Sequence, residues 1–507
     1  MRSYNLLIKE EKTELITQIK NLLADYPITE GSLQNNFKSS KNTCLHQFLV
    51  YRLLGIEFNK AILTSIIHPQ KKIYYPLPWQ WRKLLVEQGF TVPILTNRLL
   101  WFNFNIKWFL VGIASGFIEL LGSLKRYRLK TGPSTVFFHN LYPGNLVHND
   151  SKKSLNILEW FCDQEEASDI DSIYHSCKAS SINKIEKKEV NYVRSPLTGI
   201  NTLSKFIRFI IWFFLESLNA LFVLKNRLIF RELVFEKLAK LCTKKELFSK
   251  YFFHNSGHIL RPLWTYEAEL KGSEIIFYFY STNNSSLKVN NKSHIQENQW
   301  QVLNWPHYWV WHKEQIDFLK SNLLSRFNTT VKGVIPFEVS NKDFDFSQNK
   351  VKSYILVFDV QPYKNHFYSS LALSVDFYSE KNTIKFLDWI NLLAIKYGIN
   401  IVIKRKRYND LVSKIYIRKI NELKETQFWD EIDSSIDANH AIINLNPIAT
   451  ISMPFTSTAS ISKAHKIESI YLDPTGNLDK NFKINNNIPL LSSEEQLFRW
   501  YENKFKI

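Results

Sequence analysis

Between residues 353 and 472 the chain alternates segments of strand and helix character, and this alternation restricts its fold more than any other feature. Residues 353–360 (S-Y-I-L-V-F-D-V) form an apolar run of strand length, 386–397 has helical spacing, and 399–403 is apolar and rich in β-branched residues. Residues 411–423 then read as helix, 441–445 as strand, 449–453 as strand, 459–466 as helix and 469–472 as strand. Strands linked by helices bury both faces of their sheet, so the segment is expected to form a parallel, doubly wound sheet. No repeat of solenoid period interrupts the pattern.

Ligands of a doubly wound sheet bind outside the carboxyl ends of its strands. Asp359 closes the strand at 353–360, and Lys404, Arg405, Lys406 and Arg407 follow the strand at 399–403. The hydroxyls of Thr456, Ser457 and Thr458 follow Pro454 after the strand at 449–453, and Asp473 follows the last strand. Hydroxyls where a strand feeds a helix suit a phosphate, and they equally suit a helix cap. The basic quartet offers several donors to a phosphate, or forms a solvated loop or nucleic-acid patch. Asp473 either accepts hydrogen bonds from sugar hydroxyls or closes an Asp-Pro turn on its own backbone.

Upstream, residues 1–97 read as α-rich. Two unusually apolar stretches follow, 99–124 and 206–224, each near the length that spans a bilayer. Asn103, Asn105, Lys107 and Glu119 interrupt the first, and Arg208, Trp212, Glu216 and Asn219 mark a polar face on the second, so amphipathic helices are expected. They are buried core, interfacial or spanning; the basic cluster at 125–130 beside apolar residues suits anionic headgroups. Residues 134–139 and 156–160 read as strands, 227–252 as one long helix, and 274–281 as a strand. Glu267 and Glu269 are two apart, so they share a face only on a strand, where one of them could serve as a general base. An ion pair with Arg261 is the structural alternative.

The formal net charge of +18 points to nucleic acid, an anionic membrane or a phosphorylated substrate, although an AT-rich genome would also enrich Lys, Ile and Asn. The basic residues form no continuous stripe, so nucleic acid is not expected as a partner. The four cysteines, Cys44, Cys162, Cys177 and Cys242, have no metal-site spacing, and His254 and His258 lack a third ligand of the H-E-x-x-H kind. No metal and no cofactor is expected. Residues 1–20 carry charges throughout and no apolar core of signal-peptide length, so a cytoplasmic protein is expected.

The motifs P-F-T-S-T-A at 454–459, Y-L-D-P-T-G at 471–476, R-P-L-W-T-Y-E-A-E at 261–269, Y-F-Y-S-T-N at 278–283 and N-W-P-H-Y-W-V-W at 304–311 resemble the bacterial polysaccharide biosynthesis proteins named for a PFTS motif. The resemblance runs over about residues 130 to 490. It implies an α/β fold of two Rossmann-like domains (GT-B type) with additional N-terminal and inserted α-helices. The implied division is an α-rich region 1–130, an acceptor domain 131–345, a nucleotide-sugar domain 346–490 and a C-terminal helix 491–507 packing back on the N-terminal domain.

The implied activity is a glycosyltransferase of surface polysaccharide synthesis. It would move a sugar from a nucleotide-sugar to a glycan or lipid-linked acceptor without a metal, on the inner face of the plasma membrane. The hydroxyl run also looks like the phosphate-binding motif of sialyl- and Kdo-transferases, which implies donor contacts by Thr456, Ser457 and Thr458. The basic loop, K-P-K-R in the family, has Arg405 in place of Pro; Lys404, Lys406 and Arg407 match. The donor side would then include Asp359 and Asp473, the catalytic pair Glu267 and Glu269, and the acceptor side Arg261 and Asn283. The alternative is a non-catalytic membrane-peripheral assembly or scaffold protein that binds a nucleotide-sugar.

Overall fold

The computed structural model describes residues 15–16, 18–24, 39–123, 131–141, 157–178, 184–185, 187–254, 260–281, 288–289, 292–293, 300, 302–323, 326–335, 353–362, 379–405, 412–434, 436–454, 456–476, 478 and 487–505. Helical residues at 15–16 and 18–24 come first among the described residues, followed by α1 (Ser40–Leu53), α2 (Ile56–Ile67), α3 (Trp79–Glu87) and the 30-residue α4 (Ile94–Ser123). Strands β1 (Gly132–Phe138), β2 (Ser172–His175), β3 (Lys184–Ile185), β4 (Lys188–Tyr192), β5 (Phe248–His254) and β6 (Glu274–Tyr278) follow. After a small hairpin, β7 (Lys288–Val289) and β8 (Lys292–Ser293), come β9 (His307–Val310) and β10 (Asn328–Val331). Helices α5 (Ile157–Cys162), α6 (Leu203–Phe222), α7 (Leu224–Leu228), α8 (Phe230–Leu241), α9 (Trp264–Leu270) and α10 (Lys313–Asn322) lie among these strands.

The N-terminal sheet has the order β10-β9-β6-β5-β1-β2-β4-β3. All its pairings are parallel except that of β3 with β4. The chain runs outward from β1 through β2 to β4, then returns to the other side of β1 at β5 and continues outward. Because both faces are covered, Val136, Phe137 and Phe138 of β1 and Tyr251, Phe252 and Phe253 of β5 are all buried, and aromatic side chains fill the layer between sheet and helices. Phe138 and Phe252 stack with centroids 4.5 Å apart, and Phe161 and Trp309 lie 5.1 and 5.0 Å from Phe252. One core runs from Ile16 to Ile335, so the α-rich opening shares its interior with this sheet.

Two upstream expectations are corrected. Residues 157–162 form the helix α5, not a strand; Ile157, Leu158, Trp160 and Phe161 are all buried, and so short an apolar run has no period that separates the two structures. The long helix expected over 227–252 stops at Leu241, where Lys271 Nζ donates to the carbonyls of Ala239 and Lys240. Its last five residues, 248–252, lie in β5, the strand beside β1.

The C-terminal sheet holds β11 (Tyr354–Phe358), β12 (Asn400–Lys404), β13 (Trp429–Ile432), β14 (Ala449–Ser452), β15 (Glu468–Leu472) and β16 (Leu490–Leu491). All are parallel, in the order β13-β12-β11-β14-β15-β16. This is the doubly wound sheet that the alternation predicts. Its helices are α11 (Glu380–Tyr397), α12 (Lys414–Lys424), α13 (Ala438–Leu445), α14 (Thr458–Ala464) and α15 (Glu494–Phe505). Residues 441–445, expected as a strand, belong to α13, which ends at Asn446 in the left-handed region (φ 45°). Helix α15, expected to pack back on the N-terminal domain, packs among the described residues in the C-terminal core: Leu497, Trp500 and Tyr501 enter it, and Tyr501 lies 4.9 Å from Tyr397.

The two apolar stretches form α4 and α6. Gly112 and Gly116 let α4 lie close to its neighbours, since a Cβ on them would sit 2.6 Å from Phe230 and 2.1 Å from Phe213. Helix α4 is long and apolar enough to cross a membrane by length and composition, yet its glycine face is committed to α6 and α8. The outward faces are apolar too. On α6, Leu203, Ile207, Ile211, Phe214, Leu215, Leu218 and Leu221 are exposed at helical spacing, and on α4 so are Leu95, Leu99, Phe102, Leu110, Phe117 and Leu121.

Candidate functional site

In the C-terminal sheet the chain reverses its direction of growth between β11 and β14. That crevice is where a doubly wound sheet takes its ligand. Register brings the strand ends level: Phe358 pairs with Lys404 on one side and Ser452 on the other, and Ser452 pairs with Tyr471. With neighbouring strands about 4.8 Å apart, Lys404 and Ser452 stand roughly 10 Å from each other across β11. Residues paired across a sheet share a face, so both lie on the Phe358 face.

A ladder of hydroxyls leads from this point into the turn. Ser452 Oγ is 2.9 Å from Thr458 Oγ1, Thr458 Oγ1 donates to Thr456 Oγ1 at 3.0 Å, and Thr456 Oγ1 donates to the Met453 carbonyl at 2.9 Å. The buried Tyr471 hydroxyl donates to the Thr456 carbonyl and holds the turn from beneath. Ser457 precedes α14, but its side chain makes no capping bond, so the cap alternative is not realised there. With seven residues, α14 has little dipole to add, and the anion-attracting character rests on Lys404 and the hydroxyls.

Asp359 lies one residue past Phe358 and so points to the opposite face. It is 5% exposed; the Tyr416 hydroxyl donates to Oδ2, and Oδ1 has no hydrogen-bond partner among the described residues. Burial pushes its carboxyl up to about 6, with the Tyr416 bond and the Arg405 charge opposing. Tyr416 is held there by the cap of α12, where Ser413 Oγ accepts from the backbone of Ile415 and Tyr416.

Other expected donor residues are spent on structure. Arg405 pairs with Glu431, which also receives Lys424 at 2.8 Å. Asp473 closes its own turn: Oδ1 accepts from Thr475 N at 2.8 Å and Thr475 Oγ1 at 2.6 Å, and Oδ2 from Leu478 N at 3.1 Å. Lys406, Arg407 and Asn283 lie outside the described residues.

In the N-terminal half the expected catalytic pair is not brought together. Glu267 and Glu269 lie on the helix α9, where residues two apart face different ways. Glu269 pairs with Arg261, and Glu267 lies 3.6 Å from Lys240. Arg261 is buried over the Tyr266 ring and donates to Thr265 Oγ1 at 3.0 Å and to the Asn304 carbonyl at 3.3 Å. Asn304 precedes β9 and Glu269 precedes β6, so the cluster sits by the amino ends of these strands, opposite the edge where ligands bind.

The sheet's own reversal lies between β1 and β5, and there the sequence reading missed His139 and Asn140. His139 N donates to the Phe252 carbonyl at 2.9 Å, which sets it on the carboxyl lip of the sheet. His254, fully buried at the end of β5, has Nε2 3.0 Å from the Asn140 carbonyl. Ser452 and Tyr416 were missed as well: the first reads as an ordinary strand residue and the second as an apolar helix position.

A family model described as "Polysaccharide biosynthesis PFTS motif protein" matches residues 216–501, more than half of the chain. No curated protein sequence is similar enough to match. Similar solved structures include a UDP-GlcNAc 2-epimerase from Methanocaldococcus jannaschii, with a TM-score of 0.38 and 10% identity over 73% of this chain and 91% of that one. An α,α-trehalose 6-phosphate synthase from Burkholderia multivorans has a TM-score of 0.40 and 9% identity over 74% of this chain and 91% of its own. A UDP-glucosyltransferase from Polygonum tinctorium has 0.34 and 8% over 74% and 83%. At such scores the chemistry has to be argued from this chain's own residues.

Proposed function

Because the chain belongs to the polysaccharide biosynthesis PFTS motif family, we propose that it is a glycosyltransferase of bacterial surface polysaccharide synthesis, moving a sugar from a nucleotide-sugar to a glycan or lipid-linked acceptor. The observation that carries this reading is the placement of Lys404 and of the Ser452–Thr458–Thr456 hydroxyl ladder at level strand ends, on one face of the sheet, at the β11/β14 reversal. A cation and a rank of hydroxyls suit the phosphates of a nucleotide and would neutralise the charge that grows on them as the glycosidic bond breaks, without a metal. Ser457 stands beside them, and Lys406 and Arg407 follow in the sequence. Asp359, on the other face of β11, has one oxygen without a hydrogen-bond partner among the described residues, and that oxygen suits a hydroxyl of the donor.

A thermal-shift screen of the whole chain against CMP, UDP and GDP tests the reading. At least one should raise the melting temperature; stabilisation by none would overturn it. The scaffold alternative is favoured by one observation, the commitment of Glu267 and Glu269 to ion pairs away from the carboxyl edge.

The exposed apolar faces of α4 and α6, with the net charge of +18, support a membrane-peripheral position from which a lipid-linked acceptor could be reached. The protein should pellet with vesicles containing phosphatidylglycerol. Phe214→Asp combined with Leu218→Asp should lower that partitioning about tenfold or more, since a large apolar side chain contributes roughly 1.5–3 kcal/mol when fully buried. Equal pelleting of variant and parent would contradict the assignment of these faces.

A further inference from the structure

We propose that His139, held by Asn140 and His254 at the β1/β5 reversal of the N-terminal sheet, is the base that takes the proton from the acceptor hydroxyl. The proposal rests on the transferase reading and supplies the base that Glu267 and Glu269 do not. The reversal of a doubly wound sheet opens a crevice at its carboxyl edge, and His139 is the residue that leaves β1 at that point.

Three contacts orient it. Its ring stacks on Phe253 with centroids 5.0 Å apart and meets Phe137 edge-on at 5.8 Å. Its ring also hydrogen-bonds the Asn140 side chain. Asn140 itself occupies the left-handed region at φ 54°, which asparagine tolerates better than other residues with a side chain, and His254 fixes it there. A carbonyl can only accept, so His254 Nε2 carries the hydrogen and donates it to the Asn140 oxygen.

His254 is fully buried and acts as a positioning residue, whereas His139 is partly exposed and can meet a substrate. Burial holds the His139 imidazole down at about 4; the Asn140 bond opposes this, and the neighbouring His254 and the charge of Arg231 on α8 reinforce it. It is therefore neutral, with a lone pair to offer, across the physiological range. The other imidazoles along this edge are less suited: His175 is fully buried with Nδ1 accepting from Cys177 N, and His312 is buried beside Glu314.

In the step proposed, the acceptor hydroxyl oxygen forms a bond to the anomeric carbon of the donor. The bond from that carbon to the phosphate oxygen breaks, its electron pair leaving with the nucleotide. The hydroxyl proton passes to the His139 imidazole and from there to water.

The test is His139→Gln, which keeps a hydrogen bond to Asn140 but cannot take up a proton near neutrality. With the stabilising nucleotide's sugar conjugate as donor, and membranes of a strain lacking this gene as acceptor, release of nucleotide should fall about 100-fold or more. Its melting temperature and nucleotide affinity should match the parent's. A variant that binds nucleotide and turns over at the parental rate overturns the base assignment alone, whereas a parent that binds no nucleotide overturns the donor site instead. Should the variant not fold, His139→Asn takes its place, with the same readouts and the same two outcomes.

Discussion

Phe252→Ala should lower the stability of the N-terminal half by about 3–5 kcal/mol in urea or thermal unfolding. Phe252 is fully buried at the centre of β5 and touches Phe138, Phe161 and Trp309, rings contributed by β1, α5 and β9. Removing it deletes the transfer energy of a whole ring and leaves a cavity among rigid neighbours that cannot collapse into it. Phe214, 56% exposed on α6, is the control. Its replacement by alanine should cost less than about 1 kcal/mol in the absence of lipid. Equal losses from the two would show that the aromatic layer is not the core of this sheet.

Asp359→Asn should make the protein more stable near neutral pH and leave its stability unchanged at acid pH. The folded-state carboxyl titrates at about 6, above its ordinary 3.8, because it is buried. Its contribution is therefore fully present below about 4, where it is protonated in both states, and is lost as pH rises through about 6. The asparagine variant, neutral throughout and still able to accept from Tyr416, escapes that loss. Urea unfolding near pH 4 and near pH 8 should show a difference between variant and parent that widens by about 1–3 kcal/mol at the higher pH. A difference independent of pH would mean that Asp359 is charged and compensated in the folded protein. The retained, destabilising carboxyl is what a donor-binding role for Asp359 would require.

The parallel C-terminal sheet was legible because β11 and β12 have apolar centres and its helices begin and end on clear signals, such as Ser379 accepting from Asn382 N and Gly398 at φ 64°. The reading nonetheless took α13 for a strand and passed over β13, whose Trp429–Ile432 segment carries two acidic residues at the sheet edge. Short apolar runs do not carry enough turns to display a period. The hydroxyl run at 456–458 was legible because proline and hydroxyls follow a strand. Ser452 was not, since a serine inside A-T-I-S looks like any buried strand residue until register sets it beside Phe358. The pair Glu267 and Glu269 failed for a related reason: two acids at spacing two mean different things on strand and helix, and the segment is a helix. His139 was illegible in principle. Its place at a reversal depends on β1 lying next to β5, more than a hundred residues away.

The central claim is that Lys404 and the hydroxyl ladder at the β11/β14 reversal hold the donor phosphates, and calorimetric titration of the stabilising nucleotide into Lys404→Ala tests it most directly. A hydrogen bond to a charged group is worth roughly 1.5–3 kcal/mol, so the affinity should fall about tenfold to a hundredfold. Lys237→Ala, which removes a lysine of α8 in the N-terminal half, should leave it unchanged. Parental affinity in Lys404→Ala would contradict the account.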